Sequence, residues 1–232
     1  MSKKHVSTLT RRETVFALAY LPLHAAVLPR VLSAAARTGR LSTADINFFL
    51  YAFGASLMLM LLHGFFRRDF DVLCDRPVTI LLDVVSGYFI ILALNYCVSS
   101  ILLSAGALEN PNNAAVIDLL LADGSGRMNA MAIFLAPLVE EPLFRGGLFG
   151  TVRRYSRAAA YAVTVLLFAV YHEWQYLAAD PRNFIYLLQY VPAGFMLCRC
   201  YERTESIWTP VFLHMLFNGM SVWAVSVLRS YL

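Results

Sequence analysis

The sequence is poor in charge, in cysteine pairs and in the short signatures of soluble enzymes. Only 15% of its 232 residues are Asp, Glu, Lys or Arg, against about a quarter in a soluble domain. There is no long polar stretch, internal repeat or low-complexity segment, so a separate soluble domain is excluded. The four cysteines, Cys74, Cys97, Cys198 and Cys200, form no CxxC and no metal-ligand spacing, and read as small apolar fillers. His172-Glu173 does not begin a zinc HExxH helix, because position 176 is Tyr. The net charge of +4 comes from scattered basic residues, which argues against a nucleic-acid face.

What is there is apolar: 59% hydrophobic residues, with a mean hydropathy of +0.61. This predicts an all-α polytopic membrane bundle of about seven to eight transmembrane helices with a short interfacial helix. A basic N-terminal tail (1–12) precedes one transmembrane domain (13–232). Seven spans are expected, near 13–36, 46–66, 78–103, 128–152, 158–177, 183–200 and 207–228. A charged turn, Arg67 to Asp71, follows the second. In the connection 105–127, Asn110-Pro111-Asn112-Asn113 breaks helix, and a short helix over 114–122 suits an interface. The basic start followed by Ser33-Ala34-Ala35-Ala36 also fits a cleavable signal, but Pro22, Pro29 and Arg30 interrupt its apolar core. Alternate sides of the seven spans hold 12 and 6 basic residues, which predicts a cytoplasmic N-terminus. Asp83, near one end of its span, reads as an interfacial or helix-pairing residue.

The fourth span carries Glu140, Glu141 and Arg145. Each such residue at mid-membrane costs ~2.5–3.5 kcal/mol, so the cluster must be paired or watered and is a candidate site. Glu141 and Arg145 are four apart and can pair on one helix face. Glu140, turned about 100° away, is the free carboxylate. Pro137 and Pro142 loosen the helix around the glutamates, and Gly146-Gly147 lets a neighbour approach. Phe168 and His172 share a face of the fifth span, His214 and Asn218 a face of the seventh. Glu140, His172, His214 and Asn218 fall within ~10 Å along the membrane normal. A carboxylate, two imidazoles and an amide suit hydrolysis of an amide or ester, with Glu140 as general base and His172 holding the water. His214 and Asn218 then serve as oxyanion donors. Glu140, His172 and His214 equally make a two-His, one-carboxylate set for a divalent metal such as zinc. The residues by themselves leave this choice open.

Three motifs in order, Glu140-Glu141-Pro142-Leu143-Phe144-Arg145, Phe168 to His172 and His214 to Asn218, resemble the EExxxR, FxxxH and HxxxN/D signatures of the CPBP family of intramembrane proteases (CAAX prenyl endopeptidase and bacteriocin-processing type). The resemblance covers about 128–221 and includes Ser206-Ile207-Trp208-Thr209-Pro210. It implies an endopeptidase cutting a membrane-anchored protein or peptide. Glu140 would activate water, His172 assist, His214 and Asn218 stabilise the oxyanion, and Glu141, Arg145 and Phe168 support. The family has been viewed as metal-dependent and as glutamic-type; no cofactor is favoured here. Short loops suggest a prokaryotic cytoplasmic membrane. Glu205 departs from the family, which often has Gly there. A non-catalytic immunity or accessory protein is the alternative, because some members have that role. A proton-coupled carrier ranks last, because no internal repeat is present.

Overall fold

A computed structural model describes residues 9–36, 41–107 and 109–230. The N-terminal basic tail lies largely outside them. Among the described residues there are nine helices and no strand. Helix α1 covers 11–36 and passes through a wide π-type turn at Leu23–Val27. Then come α2 (Thr43–Leu61), α3 (His63–Asp75), α4 (Pro77–Ser104) and α5 (Pro111–Ala122). Helix α6 spans 127–152, α7 is Arg157–Ala179, a 3-10 run Pro181–Tyr190 leads into α8 (Val191–Thr204), and α9 is Trp208–Arg229.

Local chemistry sets the starts. Thr10 with Glu13 and Ser42 with Asp45 form capping boxes on α1 and α2, while the Asn110 and Ser156 side chains cap α5 and α7. α5 thus begins at Pro111, where the fixed φ of proline suits a first turn. Pro22 and Pro29 do not end α1. The missing N–H at Pro22 falls beside the wide turn, which absorbs the register change.

The structure corrects two expectations. The second span stops at Leu61, and the expected charged turn is part of α3. Leu62, Phe65, Phe66 and Asp69 are buried along one stripe, while Arg67 and Arg68 are exposed, so the segment is an amphipathic helix. The Asp69 carboxylate accepts the Ile207 N–H at 2.7 Å and the Trp208 indole donates to the Phe66 carbonyl, fastening α3 to the start of α9. By length and composition four stretches can cross a membrane: Arg11–Leu32, Thr43–Leu61, Pro77–Ser104 and Trp208–Leu228. α6, α7 and α8 fall short on that measure, since α6 and α7 hold the buried ionisable residues and α8 is only 14 residues long.

α6 is the centre. From Glu140 to Gly147 every residue is buried, with α1, α2, α7, α8 and α9 packed around the helix. A Cβ on Gly147 would lie 3.0 Å from that of Ala17 in α1, and one on Gly146 would lie 3.3 Å from the Phe65 ring of α3, so these glycines set how closely α1 and α3 approach. Asp83 pairs α4 with α8 through Arg203 at 3.1 Å. All four cysteines are free.

At the end of α8, Glu202 accepts from Arg153, Arg157 and Tyr161 at 2.6, 2.9 and 2.9 Å, drawing α6, α7 and α8 together. Burial alone would raise the Glu202 carboxyl, but the bonds from Arg157, Arg153 and Tyr161 outweigh it and hold it at about 2. The stabilisation is therefore complete above the unfolded value of 4.5 and disappears as pH falls towards 2. Thermal melts of purified protein between those limits should show this loss, and Glu202→Gln should flatten the dependence. Glu205, which closes α8, is the one non-glycine residue with positive φ (58°) among those described. This left-handed cap favours glycine. Glu205→Gly should raise stability by about 0.5–1 kcal/mol, the relieved strain less the added freedom of the unfolded chain, read as a higher melting temperature.

Candidate active site

Two neighbouring carboxylates of α6 meet different surroundings. Glu141 and Arg145 lie one helical turn apart, both wholly buried, with Arg145 Nη1 3.1 Å from Glu141 Oε1. Arg145 Nη2 donates to the Gly194 carbonyl of α8 at 3.3 Å, and the guanidinium carbon sits 4.5 Å from the centre of the Phe168 ring of α7. An ion pair, a hydrogen bond and a cation–π contact thus surround one cation. Glu141 Oε1 also receives His214 Nδ1 of α9 at 2.7 Å. The carboxylate accepts, so Nδ1 carries the proton and Nε2 faces away from Glu141.

Glu140 lies on the other side of the backbone, 3% exposed. Its Oε2 is 3.9 Å from His172 Nε2 and has no hydrogen-bond partner among the described residues. His172 Nδ1 donates to the Phe168 carbonyl at 2.8 Å, which leaves Nε2 of the neutral ring as an acceptor turned to Glu140. A separation of 3.9 Å is too long for a direct bond and suits a bridging water. Phe168 stands edge-on to both imidazoles, at 4.6 Å from His172 and 6.2 Å from His214. Tyr190 stacks on the other face of His172 at 4.6 Å, its hydroxyl tied to Glu173, Asn112 and Asn113.

Asn218 is held by a defect in α6. Over Met131–Leu135 the helix widens, and the Ala136 N–H bonds to the Met131 carbonyl five residues back. In that register the Ala132 carbonyl would turn to residue 137, but Pro137 has no N–H. Asn218 Nδ2 fills the gap, donating to Ala132 O at 2.8 Å. The amide retains a second N–H for another acceptor.

Glu140, His172, Glu141, Arg145, Phe168 and His214 therefore meet in one place, with Asn218 one turn further along α9. Sequence reasoning missed Tyr51 of α2, whose hydroxyl donates to Glu140 Oε1 at 3.1 Å, and Tyr171, whose hydroxyl lies 2.9 Å from that of Tyr51. No spacing signals Tyr51, since a tyrosine in an apolar helix has the pattern of a boundary residue. Tyr171 could have been noticed as the neighbour of His172.

Residues 127–220, from α6 through most of α9, match the family model for type II CAAX prenyl endopeptidases, Rce1-like. The matched stretch is 94 of the 232 residues, and over it the chain is similar to that family. A Bacillus subtilis protein described as "Putative membrane peptidase YdiL" is 29% identical over 126 residues, covering 53% of this chain. The match covers 47%, about half, of that protein's own length. No solved structure matches. The matched stretch contains Glu140, Glu141, Arg145, Phe168, Tyr171, His172, His214 and Asn218, whereas Tyr51 lies outside it. Among the described residues no three or more of His, Cys, Asp and Glu are grouped closely enough to hold an ion. His172 and His214 each commit Nδ1, to the Phe168 carbonyl and to Glu141, which leaves Nε2 of both as the nitrogen that would hold a metal with Glu140.

Breaking a buried ion pair leaves the surviving charge uncompensated and costs about 3–5 kcal/mol. Arg145→Ala should therefore lower the melting temperature and yield strongly. Glu141→Gln, which retains an acceptor for both donors, should lower them less. Wild-type melting of Arg145→Ala would contradict this assignment.

Proposed function

We propose that the protein is an intramembrane endopeptidase that hydrolyses a peptide bond of a membrane-associated protein or peptide. The observation that carries this reading is the 3.9 Å between Glu140 Oε2 and His172 Nε2, a buried carboxylate oxygen and a partly exposed imidazole nitrogen that one water can bridge. A water there would donate one hydrogen to each and direct a lone pair at a carbonyl carbon. Glu140 takes a proton as the C–O bond forms, then returns it to the nitrogen as the C–N bond breaks. The uncommitted N–H of Asn218 can donate to the oxyanion. His214 can donate from Nε2 only as the imidazolium, whose charge would face Glu141. The similarity of α6 to α9 to type II CAAX prenyl endopeptidases supports peptide-bond chemistry in this setting.

The remaining assignments follow from pattern and family. The basic-residue asymmetry favours a cytoplasmic N-terminus in a prokaryotic inner membrane. The substrate class is a lipid-anchored or membrane-spanning polypeptide cut near its anchor. No metal enters the steps above.

Purified protein should cleave members of a small membrane-anchored peptide library, and Glu140→Gln should reduce turnover by about 10²–10⁴-fold, the usual worth of a general base. Cleavage should survive a strong chelator. Unchanged turnover in Glu140→Gln would remove Glu140 from the mechanism, and activity lost on chelation but restored by zinc would assign a metal instead.

A further inference from the structure

Beside His172, Glu140 faces a pair of tyrosines that are not among the fixed positions of the three motifs. Tyr51 carries one hydroxyl proton, and an ionised carboxylate only accepts. The bond to Glu140 Oε1 therefore uses that proton, so the 2.9 Å contact between phenols must have Tyr171 donating to Tyr51. The chain runs Tyr171 to Tyr51 to Glu140 Oε1, and it leaves Oε2 as the oxygen facing His172. Neighbouring rings hold both phenols in place. His24 lies edge-on to Tyr51 at 4.9 Å and parallel to Tyr171 at 6.5 Å. Tyr171 also meets Phe144 at 5.3 Å and His172 at 5.1 Å. His24 sits in the wide turn of α1, 1% exposed, and neither ring nitrogen has a partner among the described residues. The Tyr20 hydroxyl one turn earlier is likewise buried without a partner among the described residues, and its ring packs on His24.

We infer that Tyr51 and Tyr171 are positioning residues for Glu140, occupying one carboxylate oxygen so that the other is presented to the His172 side. The terminal torsion of a glutamate is broad and roughly two-fold, so a carboxylate without this anchor samples both orientations. An anchored one is preorganised for proton transfer. Tyr51 bonds Glu140 and Tyr171 acts through Tyr51, so their loss acts on turnover rather than on binding. The kinetic part of this inference rests on the hydrolytic reading; the geometric part does not.

Two measurements on the full-length protein in detergent separate these parts. The first is the rate at which dicyclohexylcarbodiimide, an apolar carboxyl reagent, modifies Glu140, read by mass spectrometry of its peptide. Tyr51→Phe keeps the ring and its packing but uncovers Oε1, so labelling should be several-fold faster. Tyr171→Phe should give a smaller increase, and Tyr96→Phe, at an exposed phenol on α4, should give none. The second is kinetics on whichever library peptide the wild type cleaves. Tyr51→Phe should lower kcat by about tenfold or more, the worth of a hydrogen bond to a charged group, with KM within about twofold. Labelling at the wild-type rate in Tyr51→Phe overturns the inference, as does a fall in melting temperature unaccompanied by faster labelling. If Tyr51→Phe does not fold, wild-type labelling in Tyr171→Phe overturns it equally. If the wild type cleaves no peptide, the hydrolytic reading fails while labelling still decides the positioning role.

Discussion

The bundle depends on how one guanidinium is kept out of lipid. Arg145 is wholly buried at the centre of an apolar helix, where no water can take its hydrogen bonds and an unpaired charge is not tolerated. Its partners come from everywhere around it: a carboxylate on its own helix, a carbonyl of α8 and an aromatic face of α7. Through Glu141 the same cation reaches His214 of α9. Four helices are thus registered against one another by a single side chain. That explains why a Phe one turn before His172 belongs with a Glu–Arg pair on another helix: its ring covers the cation while its carbonyl orients the imidazole.

Adjacent carboxylates with opposite duties follow from helix geometry. A turn of about 100° between consecutive residues is enough to give Glu141 cationic and imidazole donors, and Glu140 the Tyr51 phenol on one oxygen with His172 3.9 Å from the other. The irregularity of α6 contributes too. Proline removes donors at 137 and 142, and the helix responds by widening, once before the glutamates and once after. The first of these frees the carbonyl that anchors Asn218. A regular helix would have bonded that carbonyl itself and left Asn218 elsewhere.

Much of this was legible from the chain. Apolar runs and capping residues announce helices, and a spacing of four predicts the Glu141–Arg145 contact. The cost of charge in lipid identifies α6 as the helix others must serve. Other features were hidden for physical reasons. The run Arg67 to Asp71 looks like a turn until Phe65, Phe66 and Asp69 are seen to share a buried stripe against α9. The bond from His214 to Glu141 was hidden too, because it joins α9 to α6 across 73 residues of chain.

The sequence by itself determined the helices, the membrane setting, and which ionisable residues must be buried, because these depend on composition, short-range spacing and the solvation cost of charge. Only the tertiary structure decided the partners: Tyr51 and His24 lie more than eighty residues from Glu140, in helices whose patterns carry no trace of it. Their proximity arises from how α1 and α2 pack against α6, and side-chain pairing across helices is a property of that packing rather than of any local run of residues.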